Sequence, residues 1–157
     1  MTQPPTKQIQ VRVQTEDFDV SAEMKAVQGT NAQVGAMATF VGTVREINEG
    51  TSVSTMTLEH YPGMTEKALT EICEEAFGRF DLLAASVVHR VGPLAPLDQI
   101  VLVVVASAHR GEAFNGCEFI MDFLKTRAPF WKKETTPDGG GRWVSARDTD
   151  DDAANRW

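Results

Sequence analysis

The chain has 157 residues, 42% hydrophobic and 24% charged, with a net charge of −7 and a sequence pI of about 4.9. Its length fits one domain with a sizeable core, and its acidic balance argues against nucleic acid, which requires a basic face. No apolar run approaches the roughly 20 residues that span a bilayer, and the first residues lack the apolar core of a signal peptide, so a cytoplasmic location is expected.

Residues 1–7 read as a loose tail. Ile9, Val11 and Val13 alternate with Gln10, Arg12 and Gln14, which predicts a half-buried strand. Asp19 is placed to cap a short helix over 20–27, which Gly29 would end. Residues 34–45, rich in β-branched and small side chains, predict a long strand. Gly35 and Gly42 inside it mark a bulge or a close backbone approach. A polar, hairpin-type connection over 46–52 leads into 53–61, which alternates again as the return strand.

From Met64 the residues Ala68, Leu69, Ile72, Cys73, Ala76 and Phe77 follow the helical period, and this helix is expected to stop near Gly78. Residues 86–91 predict a strand and 92–98 a turn-rich link. The unbroken apolar run from Ile100 to Ala106 predicts a central strand buried on both faces. A second main helix begins near Gly111, with Phe114, Cys117, Ile120, Met121 and Leu124 along its apolar side, and ends before Pro129. Residues 130–135 and 142–146 predict two short strands around a glycine-rich turn. The acidic run from Asp148 to Asp152 reads as a solvated surface or a helix start. Nothing repeats and no linker intervenes. A single domain over 1–157 is expected, α+β, with a mixed, mostly antiparallel sheet.

Residues that suit chemistry concentrate late in the chain. Between His109 and Arg147 lie seven of the fifteen Lys and Arg, against five acidic side chains, a local net charge of +2 inside an acidic protein. Such a site suits a small anionic ligand rather than a polyanion. His109 and Arg110 stand between a buried strand and a helix start, where free N–H groups favour phosphate; an arginine in a surface ion pair explains the same spacing. Lys125 falls at the C-terminal end of that helix, where the dipole alone would favour it. Lys132 follows Phe130 and Trp131, and partial burial beside Lys133 or Arg127 would make it a usable base or nucleophile. Arg45, ending a strand, is a second candidate phosphate clamp. Phe130, Trp131 and Trp143 suit stacking on a flat heterocycle or plain packing, packing being preferred for Trp143. His60, between Glu59 and Tyr61, is better read as a polar strand end than as an acid/base set. Cys73 and Cys117 are expected to be buried, reduced thiols, and no clustered ligands for a metal are present.

The segments Phe40-Val-Gly-Thr-Val-Arg45, Leu58-Glu-His-Tyr-Pro-Gly-Met-Thr-Glu-Lys-Ala-Leu69, His89-Arg-Val-Gly92, Ser107-Ala-His-Arg110 and Phe119-Ile-Met-Asp-Phe-Leu-Lys-Thr-Arg-Ala-Pro-Phe-Trp-Lys-Lys-Glu134, extended by Arg142-Trp-Val-Ser-Ala-Arg147, resemble the large, catalytic subunits of molybdopterin synthase. The resemblance implies an α+β fold with a hammerhead-like subdomain. It also implies conversion of a cyclic pyranopterin monophosphate into molybdopterin by transfer of two sulfurs. The sulfur would arrive as a thiocarboxylate on the C-terminal Gly-Gly tail of a small ubiquitin-like subunit, within a heterotetramer built on a homodimer of large subunits, without metal or other cofactor. Carried over by position, Lys125 and Lys132 are the catalytic lysines. Thr43, Val44, Arg45, His109, Arg110, Lys133, Glu134 and Arg147 match substrate-binding stretches. A non-catalytic docking module for the sulfur carrier is the alternative reading.

Overall fold

The computed structural model describes residues 8–45, 47–48, 51–52, 55–135, 141–144 and 148–157. In chain order the elements are β1 (Gln8–Gln14), α1 (Val20–Gln28), β2 (Ala36–Thr43), β3 (Ile47–Asn48), β4 (Thr51–Ser52), β5 (Thr55–His60), α2 (Met64–Arg79), β6 (Ala84–Arg90), β7 (Gly92–Leu94), β8 (Gln99–Ser107), α3 (Arg110–Arg127), β9 (Phe130–Thr135), β10 (Gly141–Val144) and α4 (Asp148–Asn155). The first sheet has the order β1-β6-β8-β2, the second β10-β9-β5-β7, and β3 and β4 form a two-stranded ribbon. Among the described residues only β1 and β6 pair in parallel, and the other pairings are antiparallel. The fold is α+β with a mixed sheet, as expected.

Strand β8 explains why its run is unbroken. Val101, Val103 and Val105 face a core shared with Leu69, Ile72 and Phe77 of α2 and Ile120 and Leu124 of α3. Leu102 and Val104 face the other way, into a cluster with Phe18, Val88 and the partly buried Val20, Met24 and Val27 of α1. A strand covered on both faces has no need of the polar alternation that marks a half-exposed one.

Gly35, just before β2, and Gly42 within it both have steric reasons. A Cβ at Gly35 would lie 2.3 Å from the carbonyl oxygen of Ala108, and one at Gly42 would lie 2.7 Å from Val101 Cγ1. The β2–β8 register shifts between Gly42 and Thr43, so the expected irregularity is present. Helix α1 is capped by the Asp19 carboxylate, which accepts from the Ala22 amide at 3.0 Å, and Gly29 closes it at φ +53.

Two expectations fail. The return strand β5 does not pair with β2; it lies in the second sheet between β7 and β9. Alternation marks a strand but not its partner, and β8 takes the place beside β2. The stretch 92–94, expected as a link, forms β7. Gly92 at φ +87 turns the chain, and Pro93 is tolerated because β7 is an edge strand. The acidic run at 148–152 lies within α4. Beyond it, the Trp157 indole N–H donates to Asp122 at 2.6 Å, and its ring meets those of Phe80 and Phe119 edge-on at 5.7 Å.

Candidate active site

Helix α3 sets the geography. Its start follows two residues after β8, and it packs back across β8 and β2. His109 is its N-cap residue, in extended conformation, and its amide donates to Ser107 Oγ at 3.3 Å. His109 and Arg110 are exposed there. Fifteen residues later Lys125 lies in the last turn, roughly 22 Å away at 1.5 Å per residue. The register of β2 on β8 repeats this division: Ala36 faces Ser107 at one end and Thr43 faces Gln99 at the other. Thr43, Val44 and Arg45 are therefore at the end of the first sheet remote from His109 and Arg110.

The end away from His109 is where the two sheets meet. Ala128 and Pro129 separate α3 from β9. Phe130, the first residue of β9, stacks on the imidazole of His89 with 3.8 Å between centroids and 19° between planes. Phe130 also packs against the cluster of Val44, Met56, Leu58, Val91 and Leu94. Two residues on, Lys132 pairs with Leu58 on one side and Val144 on the other, and is half-buried. Burial pushes the His89 imidazole down to about 3; its contact with the Arg90 carbonyl works the other way, and Lys125, Lys132 and His60 lie close enough to oppose a charge on the ring. Lys125 and Lys132, in different elements, thus approach one histidine.

Val44 is buried, its amide donating to the Asp98 carbonyl and its own carbonyl accepting from Leu97, both at 2.9 Å; Thr43 and Arg45 flank it, exposed. Lys133 and Glu134 pair with Thr57 and Met56 of β5. Arg147 lies outside the described residues. Trp131 is 46% exposed beside Lys132. Near the same corner, His60 Nε2 is 3.7 Å from Glu66 Oε1. The other Glu66 oxygen accepts from the Gly63 amide at 3.0 Å.

Sequence reasoning gave His89 no role of its own. Its signal was a single imidazole in an otherwise apolar strand run, which burial on both faces leaves neutral or paired. Cys73 and Cys117 are buried and free, and burial, aided by Glu74 and Glu118 respectively, pushes both thiols up to about 12, so neither is poised as a nucleophile. Among the described residues no group of His, Cys, Asp or Glu is arranged to hold a metal ion, and no helix is long and apolar enough to cross a membrane.

A buried imidazole stacked on Phe130, with the charges of Lys125 and Lys132 felt at its ring, marks the seam of the two sheets in this α+β protein. The family model described as "MoaE protein" matches residues 13–127. The chain is 62% identical over 147 residues to the molybdopterin synthase catalytic subunit of Ralstonia nicotianae, covering 94% of this chain and 83% of that one. The solved molybdopterin biosynthesis MoaE protein of Burkholderia ambifaria superimposes with a TM-score of 0.82 at 57% identity, covering 96% of this chain and 98% of that one. The molybdopterin synthase structure from Staphylococcus aureus does so with a TM-score of 0.78 at 32% identity, covering 85% and 95%. The chain belongs to the MoaE family.

Proposed function

We propose that the chain is the catalytic, sulfur-transferring subunit of a molybdopterin synthase, acting in the cytoplasm. It converts a cyclic pyranopterin monophosphate to molybdopterin with two sulfurs delivered by the thiocarboxylated C-terminus of a small ubiquitin-like subunit. The observation that carries the reading is the approach of Lys125 and Lys132, from α3 and β9, to the same buried histidine. Family membership and relatives that are themselves catalytic subunits support it.

Lys125 polarises the thiocarboxylate or its acyl adduct, and Lys132 serves as acid and base on the pterin side chain as the cyclic phosphate opens. Thr43, Val44 and Arg45 border this corner, and the guanidinium of Arg45 suits the phosphate. Lys133 and Glu134 continue the same strand, and Arg147 joins the substrate-binding set. His109 and Arg110 are too far along α3 to touch the same small ligand, so they serve the site of a second copy in a homodimer that carries one small subunit per large one.

Reconstitution with precursor and thiocarboxylated partner tests the activity; absence of molybdopterin with both present refutes it. The sharing of sites has its own test. Lys125→Ala and Arg110→Ala proteins, each inactive alone, should regain about a quarter of wild-type turnover when unfolded and reassembled together, because half the dimers then hold one intact site. No recovery places both residues in one chain's site.

A further inference from the structure

We propose that His89 is a positioning residue for the two lysines: a fixed, uncharged imidazole that holds the start of β9 against β6 and gives their ammonium groups a neutral neighbour. This rests on the functional reading above and extends it to a residue in the floor of that site.

The ring is held on two sides. Its Nδ1 lies 2.8 Å from the carbonyl oxygen of Arg90. A carbonyl only accepts, so Nδ1 carries the proton and Nε2 is left with a bare lone pair. One face of the ring lies against Phe130 in a near-parallel stack. The residue is 4% exposed, so little water competes for either contact. His89, one residue short of the end of β6, pairs with Val101, at the end of the first sheet where α3 terminates. One side chain therefore touches the first residue of the strand bearing Lys132 and feels the charge of both lysines and of His60.

Neutrality is what makes the position useful. Lys125 and Lys132 each oppose a positive charge on the ring, and a charged imidazole there would in turn oppose theirs. An imidazole fixed in the Nδ1–H form adds no charge and presents acceptor character instead. The stack meanwhile limits where Phe130 sits, and Lys132 follows it by two residues, one pleat along the same face of β9.

The test uses the full-length chain with its thiocarboxylated partner and compares wild type with His89→Phe, which keeps a ring for the stack and removes the lone pair. Two quantities are read: single-turnover sulfur transfer beside the affinity for the small subunit, and acetylation of Lys125 and Lys132 by acetic anhydride at neutral pH, each relative to exposed Lys67. The expected result is transfer slowed at least about tenfold with partner affinity within about threefold, together with a change of about threefold or more in lysine acetylation. Transfer within about twofold of wild type overturns the proposal. So does slowed transfer with an unchanged acetylation pattern, which marks a purely structural role. Should His89→Phe fail to fold, His89→Asn, which keeps a donor for the Arg90 carbonyl, goes through the same comparison. If wild type makes no molybdopterin, the functional reading fails while the acetylation arm still decides the role of His89.

Discussion

The hydroxyl of Thr65 donates to the carbonyl of Pro129 at 3.0 Å, and the same oxygen accepts from the Tyr61 amide at 3.0 Å. Thr65 is fully buried in the first turn of α2, so it ties that turn to the joint between α3 and β9. Thr65→Val keeps the shape and strands both partners. It should cost about 2 kcal/mol, read as a lower urea midpoint with unchanged slope. Because the joint lies between the two lysines, turnover should fall by more than the unfolded fraction explains.

Lys125→Ala and Lys132→Ala should each reduce molybdopterin formation by roughly 100-fold or more while leaving the circular dichroism spectrum intact. Removing Lys125 also deletes a cation from the last turn of α3, a loss of about 0.5 kcal/mol. Near-normal turnover in either variant removes that lysine from the mechanism.

Acid should weaken the fold through His89. Its folded value is about 3 against an ordinary 6.5, so below 6.5 the unfolded chain takes up a proton that the native protein refuses. The stabilisation is complete above pH 6.5 and declines as pH falls towards 3, at up to about 1.4 kcal/mol per pH unit. Asp17, lowered from 3.8 by the Gln99 amide and the Phe18 N–H, adds the same trend only at more acidic pH. Urea unfolding between pH 4.5 and 6.5 should show the slope in wild type and a clearly smaller one in His89→Gln; equal slopes would remove His89 as its source.

Gly35→Ala should destabilise by about 2 kcal/mol or more, since the new Cβ meets a carbonyl oxygen at 2.3 Å and neither backbone yields easily. The displaced residue is Ala108, next to His109, so thermal melting and partner-copy complementation should both suffer. An unchanged melting temperature would show that the strand relaxes freely.

Trp157→Phe keeps an aromatic ring near Phe80 and Phe119 but loses the indole N–H to Asp122. It should cost about 1 kcal/mol, and Trp157→Ala about 2 to 3. Equal losses in the two variants would mean that the ring contributes little.

Much of this molecule was readable from local pattern. Asp19 and Gly29 bracket α1 because caps are local chemistry, and the unbroken run of β8 announced burial on two faces. Strand partners were not readable. The alternation of β5 is the same whether β2 or β9 lies beside it, and only the packed structure decides. For the candidate site, the local excess of basic residues grouped Arg110 with Lys125, although fifteen helical residues set them about four turns apart. That Lys125 and Lys132 both bear on His89 depends on the turn at Ala128 and Pro129 and on a stack between Phe130 and a residue 41 positions earlier, which no spacing rule reports.

The joint of Ala128 and Pro129 restricts how the gene can vary. Side chains alternate across a strand, so one residue inserted or deleted between α3 and β9 would turn Lys132 to the opposite face of its sheet while Lys125 stayed in place. Substitutions there leave that parity intact, but an in-frame codon gained or lost does not. Length polymorphism among homologous genes should therefore be purged at this joint and accumulate elsewhere, as between β9 and β10.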